Sequence, residues 1–249
     1  MWLRSQVAGF RRRALLALVR RDVVIRSDRP LISFSFDDFP RTALTAGGSI
    51  LKNAGVRGTY YVASALIDTV NNLGAHFQKE DLFELLADGH ELASHTYSHV
   101  SARSTSHVNY GREIEKGYRA LTETFGLNAS RHFAYPYGDI TLRVKGAVAP
   151  TMQSSRGIYP GLNGPRTDLN LLRANSLYGD VEQLAPNKAL IEKNRRNKYW
   201  LIFYTHDVRP NPSPYGCTPA LFEQVVQAAV ESGARIATVH EVVSLAESV

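Results

Sequence analysis

Two histidines four residues apart, in His95-Thr96-Tyr97-Ser98-His99, can bring both imidazoles to one cation whether the segment is helical or a loop. Thr96 stands where a zinc-protease helix carries its glutamate, so a hydrolase using this pair needs a general base from elsewhere in the chain. The adjacent carboxylates Asp37 and Asp38 are the available source. A third histidine, His206, ends the apolar run Trp200-Leu201-Ile202-Phe203-Tyr204-Thr205. Each feature alone has an ordinary reading: a helix N-cap for the aspartates, chance spacing for the histidine pair, a satisfied core residue for His206. With Cys217 as the one cysteine, no internal disulfide and no thiolate cluster can form, so any metal is held by His, Asp or Glu.

The elements that would position these groups are short apolar runs alternating with amphipathic stretches. Strands are expected at Leu31–Phe36, Gly58–Val62, Glu91–Ser94, His132–Tyr135, Leu172–Leu177, Trp200–Thr205 and Arg235–Val239. Helices are expected at Ala43–Asn53, Lys79–Ala87, Val108–Phe125, Thr141–Val148, Val181–Asn194 and Pro219–Glu231, with Thr218-Pro219 as a cap and first helical residue. This alternation predicts an α/β fold of parallel strands with crossover helices, as an incomplete barrel or an open sheet. Asp37, Asp38, His95, His99, Tyr137 and His206 all fall just past strand ends, the face on which such folds assemble their sites. Two Gly/Pro-rich loops, 150–170 and 207–217, are long enough to shape that face.

The net charge of +6 is not spread evenly. Residues 1–29 hold eight arginines against Asp22 and Asp28, which leaves the other 220 residues balanced at 21 basic and 21 acidic side chains. A neutral body argues against a nucleic-acid partner. In the arm, Trp2, Leu3, Val7, Phe10, Leu15, Leu18 and Val19 fit one helical face, and Arg4, Arg11 to Arg13, Arg20 and Arg21 give it cationic turns. That composition suits either a helix packed on the body or peripheral contact with an anionic membrane. The uncharged run Ala14–Val19 is shorter than a signal-peptide core or a membrane span, so a cytoplasmic protein is expected. The chain divides into the arm, 1–29, and one catalytic body, 30–249.

From about Leu31 to Val239 the motifs resemble the polysaccharide deacetylase family, also called the NodB-homology domain or carbohydrate esterase family 4. The resemblance implies an incomplete or distorted (β/α)7 barrel. Ser35-Phe36-Asp37-Asp38 is similar to the first motif, which makes Asp37 the catalytic base and Asp38 a metal ligand. His95-Thr96-Tyr97-Ser98-His99 matches the second, which completes the metal triad with His95 and His99. Phe133-Ala134-Tyr135-Pro136-Tyr137-Gly138 resembles the third, a groove wall in which Tyr137 offers a backbone N–H to the oxyanion. Tyr204-Thr205-His206 resembles the fifth, with His206 as the general acid. The cofactor implied is one divalent ion, with Zn²⁺ expected, and the substrate an N-acetylated or O-acetylated carbohydrate.

The departures concern the walls of the site. Phe39 replaces the usual glycine, which would make the mouth more apolar, and Tyr204 replaces a leucine, which would narrow or polarise the acetyl pocket. Ala134 stands where many members carry an arginine that holds the base; Arg173 is the expected substitute, with Arg166 in reserve. No counterpart of the fourth motif's Asp-x-x-Trp is found. Phe39, Tyr135, Pro136, Arg166 and Tyr204 are assigned to substrate binding, and Tyr135, Tyr137, Tyr159 and Tyr215 could stack on sugar faces. Two other readings stay open: an allantoinase-like hydrolase of a small cyclic amide, with Arg156 or Arg166 clamping an anionic substrate, and a non-catalytic carbohydrate-binding relative.

Overall fold

The computed structural model describes residues 13–248. Seven parallel strands form the central sheet in the order β10-β11-β2-β3-β6-β7-β8. They are β2 (Leu31–Asp37), β3 (Thr59–Val62), β6 (Glu91–Ser94), β7 (His132–Ala134), β8 (Ser154–Arg156), β10 (Asn175–Ser176) and β11 (Trp200–Thr205). β12 (Arg235–Ile236) pairs with Leu31 and Ile32, below the point where β3 joins β2 at Ser35. The barrel remains open between β8 and β10, spanned by the single parallel bridge Arg156↔Leu172.

β2 is buried along its whole length, as expected of a strand covered on both faces. Ile32, Phe34 and Phe36 enter the layer between sheet and helices, where Phe34 stacks on Phe203 with centroids 5.7 Å apart. Leu31, Ser33, Ser35 and Asp37 alternate onto the opposite, inner face. The two serines are satisfied there by backbone carbonyls: Ser33 Oγ donates to Ala237 O at 2.7 Å and Ser35 Oγ to Phe203 O at 2.9 Å. Two helices begin and end where the sequence places them, α2 (Lys79–Ala87) and α6 (Pro219–Glu231), the latter capped by Thr218 Oγ1. Of the others, α1 (Ser49–Asn53) follows a π-helical turn at Ala43–Gly48, and α3 (His107–Arg119) runs on into a second such turn. α4 is Leu142–Val148, α5 Leu184–Asn197 and α7 Val239–Val243.

Several expectations are corrected. The strand placed at Leu172–Leu177 shrinks to Asn175–Ser176, and the supposed loop 150–170 contains β8 and β9 (Arg166–Asp168). The last strand stops at Ile236, because Thr238 and Glu241 form a capping box that starts α7 at Val239. The boundary after residue 29 also moves. β1 (Asp22–Ile25) pairs antiparallel with β9 and with β13 (Ala246–Ser248), so it belongs to the body. A short helix at 13–17 precedes it, held by Lys145 Nζ, which donates to Leu15 O and Leu18 O and pairs with Asp168 at 2.8 Å. Leu15 is buried, whereas Leu18 and Val19 are exposed. Trp2, Leu3, Arg4, Val7, Phe10, Arg11 and Arg12 lie outside the described residues. Among the described residues no helix is long and apolar enough to cross a membrane.

Candidate active site

Asp38, His95 and His99 stand at the carboxyl ends of β2 and β6, neighbours but one in the sheet, with ligand atoms all within 4.8 Å of one another. His95 Nδ1 donates to Ala134 O at 2.7 Å, which leaves its Nε2 bare and 3.4 Å from Asp38 Oδ1. His99 Nε2 lies 3.0 Å from the same oxygen. Neither contact makes a hydrogen bond of good geometry: Asp38 Oδ1 is buried without a hydrogen-bond partner among the described residues. Burial pushes the Asp38 carboxyl up, but the adjoining His99 and the charges of His95 and His99 outweigh it and hold it below the usual carboxylate range. Burial lowers His95 to about 4, so this imidazole is neutral, the form that ligates metals. An orphaned carboxylate oxygen facing two imidazoles fits one divalent cation.

The turns holding these groups are strained. Asp38, Phe39, Thr96, His99 and Tyr137 all have φ between 52° and 64°, the left-handed region that non-glycine residues seldom adopt. The left-handed backbone at position 39 suits the glycine that Phe39 replaces, and the strain of Phe39 is offset by burial: the ring stacks on Phe77 at 5.3 Å and meets Tyr60 at 5.1 Å. It is fully buried, so its expected place at an apolar mouth is corrected. Behind the histidine loop, α3 comes so close that a Cβ on Gly117 would lie 2.8 Å from the Thr96 backbone. Its Glu113 takes the Tyr97 N–H on a backbone carbonyl and the Ser98 N–H on its carboxylate. A further imidazole, His76, went unnoticed in the sequence; it is buried beside the turn, with Nδ1 3.4 Å from Asp38 O.

Asp37 is also buried, and its partner is Arg156, whose guanidinium donates to Asp37 Oδ1 and to Gly157 O. This corrects both expected arginines. Arg173 donates to Pro160 O, and the exposed Arg166 faces Asp22 at 3.5 Å on the β1–β9 ribbon. Arg156 was hidden in a supposed loop, but the register explains it: Ala134 on β7 pairs with Arg156 on β8, so the arginine has moved one strand sideways at the same level. Tyr61 and Tyr204 face its guanidinium at 4.9 Å each. Tyr204 thus supports the arginine and is itself buried, as are Tyr135 and Pro136, which leaves Tyr137 as the exposed part of the expected groove wall. The Tyr137 ring lies 4.4 Å from His99. His206 reaches the same face from β11, close enough for its charge to lower the Asp38 pKa. Tyr178 and Tyr215 flank its ring at 6.1 and 5.8 Å.

A model of the family described as polysaccharide deacetylase matches residues 25–151, and the chain belongs to that family. Chitin deacetylase 1 of Saccharomyces cerevisiae is 34% identical over 118 residues, covering 47% of this chain and 35% of the relative, so the chain spans about a third of that protein's length. The chitin deacetylase of the fungal pathogen Colletotrichum lindemuthianum is similar in structure, with a TM-score of 0.58 at 19% identity over 88% of this chain and 90% of that one. So is a family 4 acetyl xylan esterase from Clostridium thermocellum, with a TM-score of 0.56 at 18% identity over 86% and 91%. At such identities the structural likeness shows the fold, the half-barrel expected from the motifs.

Proposed function

We propose that this protein is a divalent-metal-dependent hydrolase that removes acetyl groups from an N-acetylated or O-acetylated carbohydrate. The observation that carries the reading is the contrast between two neighbouring buried carboxylates: Asp37 is held by an arginine, while Asp38 Oδ1 faces His95 and His99 without a hydrogen-bond partner among the described residues. A divalent ion held by Asp38, His95 and His99, with Zn²⁺ expected from the donor set, supplies polarisation of the acetyl carbonyl and a more acidic water. Asp37 is the base that takes the proton of the attacking water, and Arg156 fixes its orientation and charge. The Tyr137 backbone N–H donates to the developing oxyanion. His206 protonates the departing amine or alcohol; an amine leaves poorly without that proton, so His206 matters most for an amide substrate.

A sugar is favoured by the family and by the relatives' names, and by the exposed rings of Tyr137 and Tyr215, one beside His99 and the other beside His206. The cyclic-amide reading loses its carriers, because Arg156 is committed to Asp37 and Arg166 lies on the β1–β9 ribbon. The first test is metal content of protein purified without added metal, beside Asp38→Ala and His99→Ala, with acetate release from chitooligosaccharides on the same samples. Near-stoichiometric metal lost in both variants, with acetate released by the parent alone, is the expected result. Absence of metal after addition of Zn²⁺ would sink the reading. The basic arm is assigned a peripheral contact with anionic membrane on the cytoplasmic side. Deleting residues 1–12 should abolish a salt-sensitive co-sedimentation with anionic vesicles, and salt-insensitive binding would contradict that assignment.

A further inference from the structure

The geometry points to Asp207 as a positioning residue that acts through Ser213 and the Tyr215 carbonyl to hold the His206 ring by its Nδ1–H, so that Nε2 is the nitrogen that carries the transferable proton in the imidazolium and is bare in the neutral ring left after transfer. This rests on the reading of His206 as the acid of a deacetylase. His206 is tied to its own loop at one atom: its backbone N–H and its Nδ1 both lie 3.1 Å from Tyr215 O, and Thr205 Oγ1 approaches the same oxygen at 3.5 Å. A carbonyl can only accept, so neutral His206 carries its hydrogen on Nδ1 and a lone pair on Nε2. Free histidine favours the opposite tautomer. The loop must therefore keep the Tyr215 carbonyl in place.

Residues 207–217 contain three prolines and no helix or strand; isolated bridges from Cys217 to Val208 and Gly179 pin the end of the loop, but none of them bonds the Tyr215 carbonyl. Asp207 does so from a fully buried position. Its Oδ1 accepts from Ser213 Oγ at 2.5 Å, its Oδ2 accepts from Ser213 N at 2.8 Å and pairs with Arg209 at 2.8 Å, and its backbone O accepts from Cys217 N at 2.9 Å. Ser213 Oγ donates to Asp207 and in turn accepts the Tyr215 N–H at 3.1 Å, so one hydroxyl links the carboxylate to the residue that orients the acid. The fit leaves no slack: a Cβ on Gly216 would collide with the Asp207 backbone oxygen and Oδ1. Arg209 extends the anchor to the opposite rim by donating to Asn72 O between β4 (Val70–Asn71) and β5 (Gly74–Ala75).

The test uses the full chain labelled with ¹⁵N-histidine at alkaline pH, with His206 assigned by its loss in His206→Gln. The parent should show the Nδ1–H tautomer. Ser213→Ala removes the linking hydroxyl and keeps the Asp207–Arg209 pair; it should shift His206 into a mixture with the Nε2–H form. On an N-acetylated chitooligosaccharide its kcat should fall about 10- to 100-fold with KM within about twofold, while 4-nitrophenyl acetate, whose leaving group departs unprotonated, should stay within about threefold. Asp207→Asn should give the same signature and guards against a local effect of the serine change. An unchanged tautomer in both variants overturns the proposal, as does a parallel loss on amide and activated ester. A parent that releases no acetate from any acetylated sugar would defeat the deacetylase reading, and the nitrogen shifts would still decide the role of Asp207.

Discussion

Two carboxylate–imidazole clusters, each built on a buried carboxylate, sit at opposite ends of the same four-residue strand. At the carboxyl end of β6 are Asp38, His95 and His99; at its start are Glu91, His132 and His240. The residue types are nearly the same and the satisfaction is not. Glu91 takes Thr59 Oγ1 at 2.8 Å and His240 N at 2.9 Å on one oxygen, and Ser130 Oγ at 2.5 Å on the other. His132 closes the set, with Nδ1 2.8 Å from Ser154 Oγ and Nε2 3.3 Å from His240 Nδ1. Both Glu91 oxygens and both His132 nitrogens have a protein partner, which marks the cluster as structural. At the other end Asp38 Oδ1 faces His95 and His99 without a hydrogen-bond partner among the described residues, and the backbone around it is held in left-handed turns. An unmet partner marks a site better than residue type does.

Breaking each cluster should therefore give opposite results. Asp38→Ala or His95→Ala should reduce bound metal to under about a tenth of the parent's and lower kcat/KM on the order of 10³-fold, with thermal stability measured in chelator little changed. If a variant keeps full metal content by elemental analysis, the two ends are not different in kind. Arg156→Ala comes next: it strands the Asp37 carboxylate, and the fold should lose about 3–5 kcal/mol in urea unfolding, with activity down about 100-fold. Arg156→Lys should recover only part of this, because an ammonium cannot reach Asp37 and Gly157 O together while packing between two tyrosine rings.

At the structural end, Glu91→Ala leaves the Thr59 hydroxyl and the His240 N–H without their acceptor and the Ser130 hydroxyl with Leu92 O alone. It should cost about 3 kcal/mol of stability, and metal content and KM should stay at the parent's values. A drop in metal content would mean that the two ends are coupled through β6.

The half of the chain matched by the family model was the easier to read. β2, β3, β6 and β7 are short apolar runs that end on Asp37, Val62, Ser94 and Ala134, so strand ends alone put Asp38, His95 and His99 on one face, and the resemblance to the family made them a triad. The second half hides its contributions. β8 is three residues of polar sequence, Ser154-Ser155-Arg156, with no alternation to mark it, and Arg156 looks like a loop cation until the β7–β8 register sets it beside Ala134. β1, Asp-Val-Val-Ile, falls with the arm in the sequence because the residues around it are basic, yet its pairing with β9 and β13 depends on contacts about 145 and 225 residues away, which no local pattern carries. Tyr135 and Phe39 were misplaced for one reason: an aromatic ring near a site is as ready to fill the core behind it as to face the substrate.

The smallest expected effect concerns pH and again separates the two ends. His90, just before Glu91, is buried with its Nδ1 accepting the Gly58 N–H at 3.0 Å, a bond only an unprotonated nitrogen can make. Burial lowers it from 6.5 to about 4. Between those values the unfolded chain binds a proton that the folded one refuses, so its contribution is fully present above pH 6.5 and drains away as pH falls toward 4. Between pH 7.5 and 4.5 this group should remove about 2–3 kcal/mol from the unfolding free energy. His95 titrates in the same direction and the same window, so the parent's curve alone does not isolate His90. The difference between parent and His90→Gln does, because the amide cannot take up the proton. Gln should lower stability at neutral pH, where the Gly58 contact is at stake, and flatten the acid limb. Urea unfolding at the two pH values measures both. Parallel acid limbs would mean that His90 takes up its proton as readily in the folded chain as in the unfolded one, and that its hydrogen bond to Gly58 does not set its protonation.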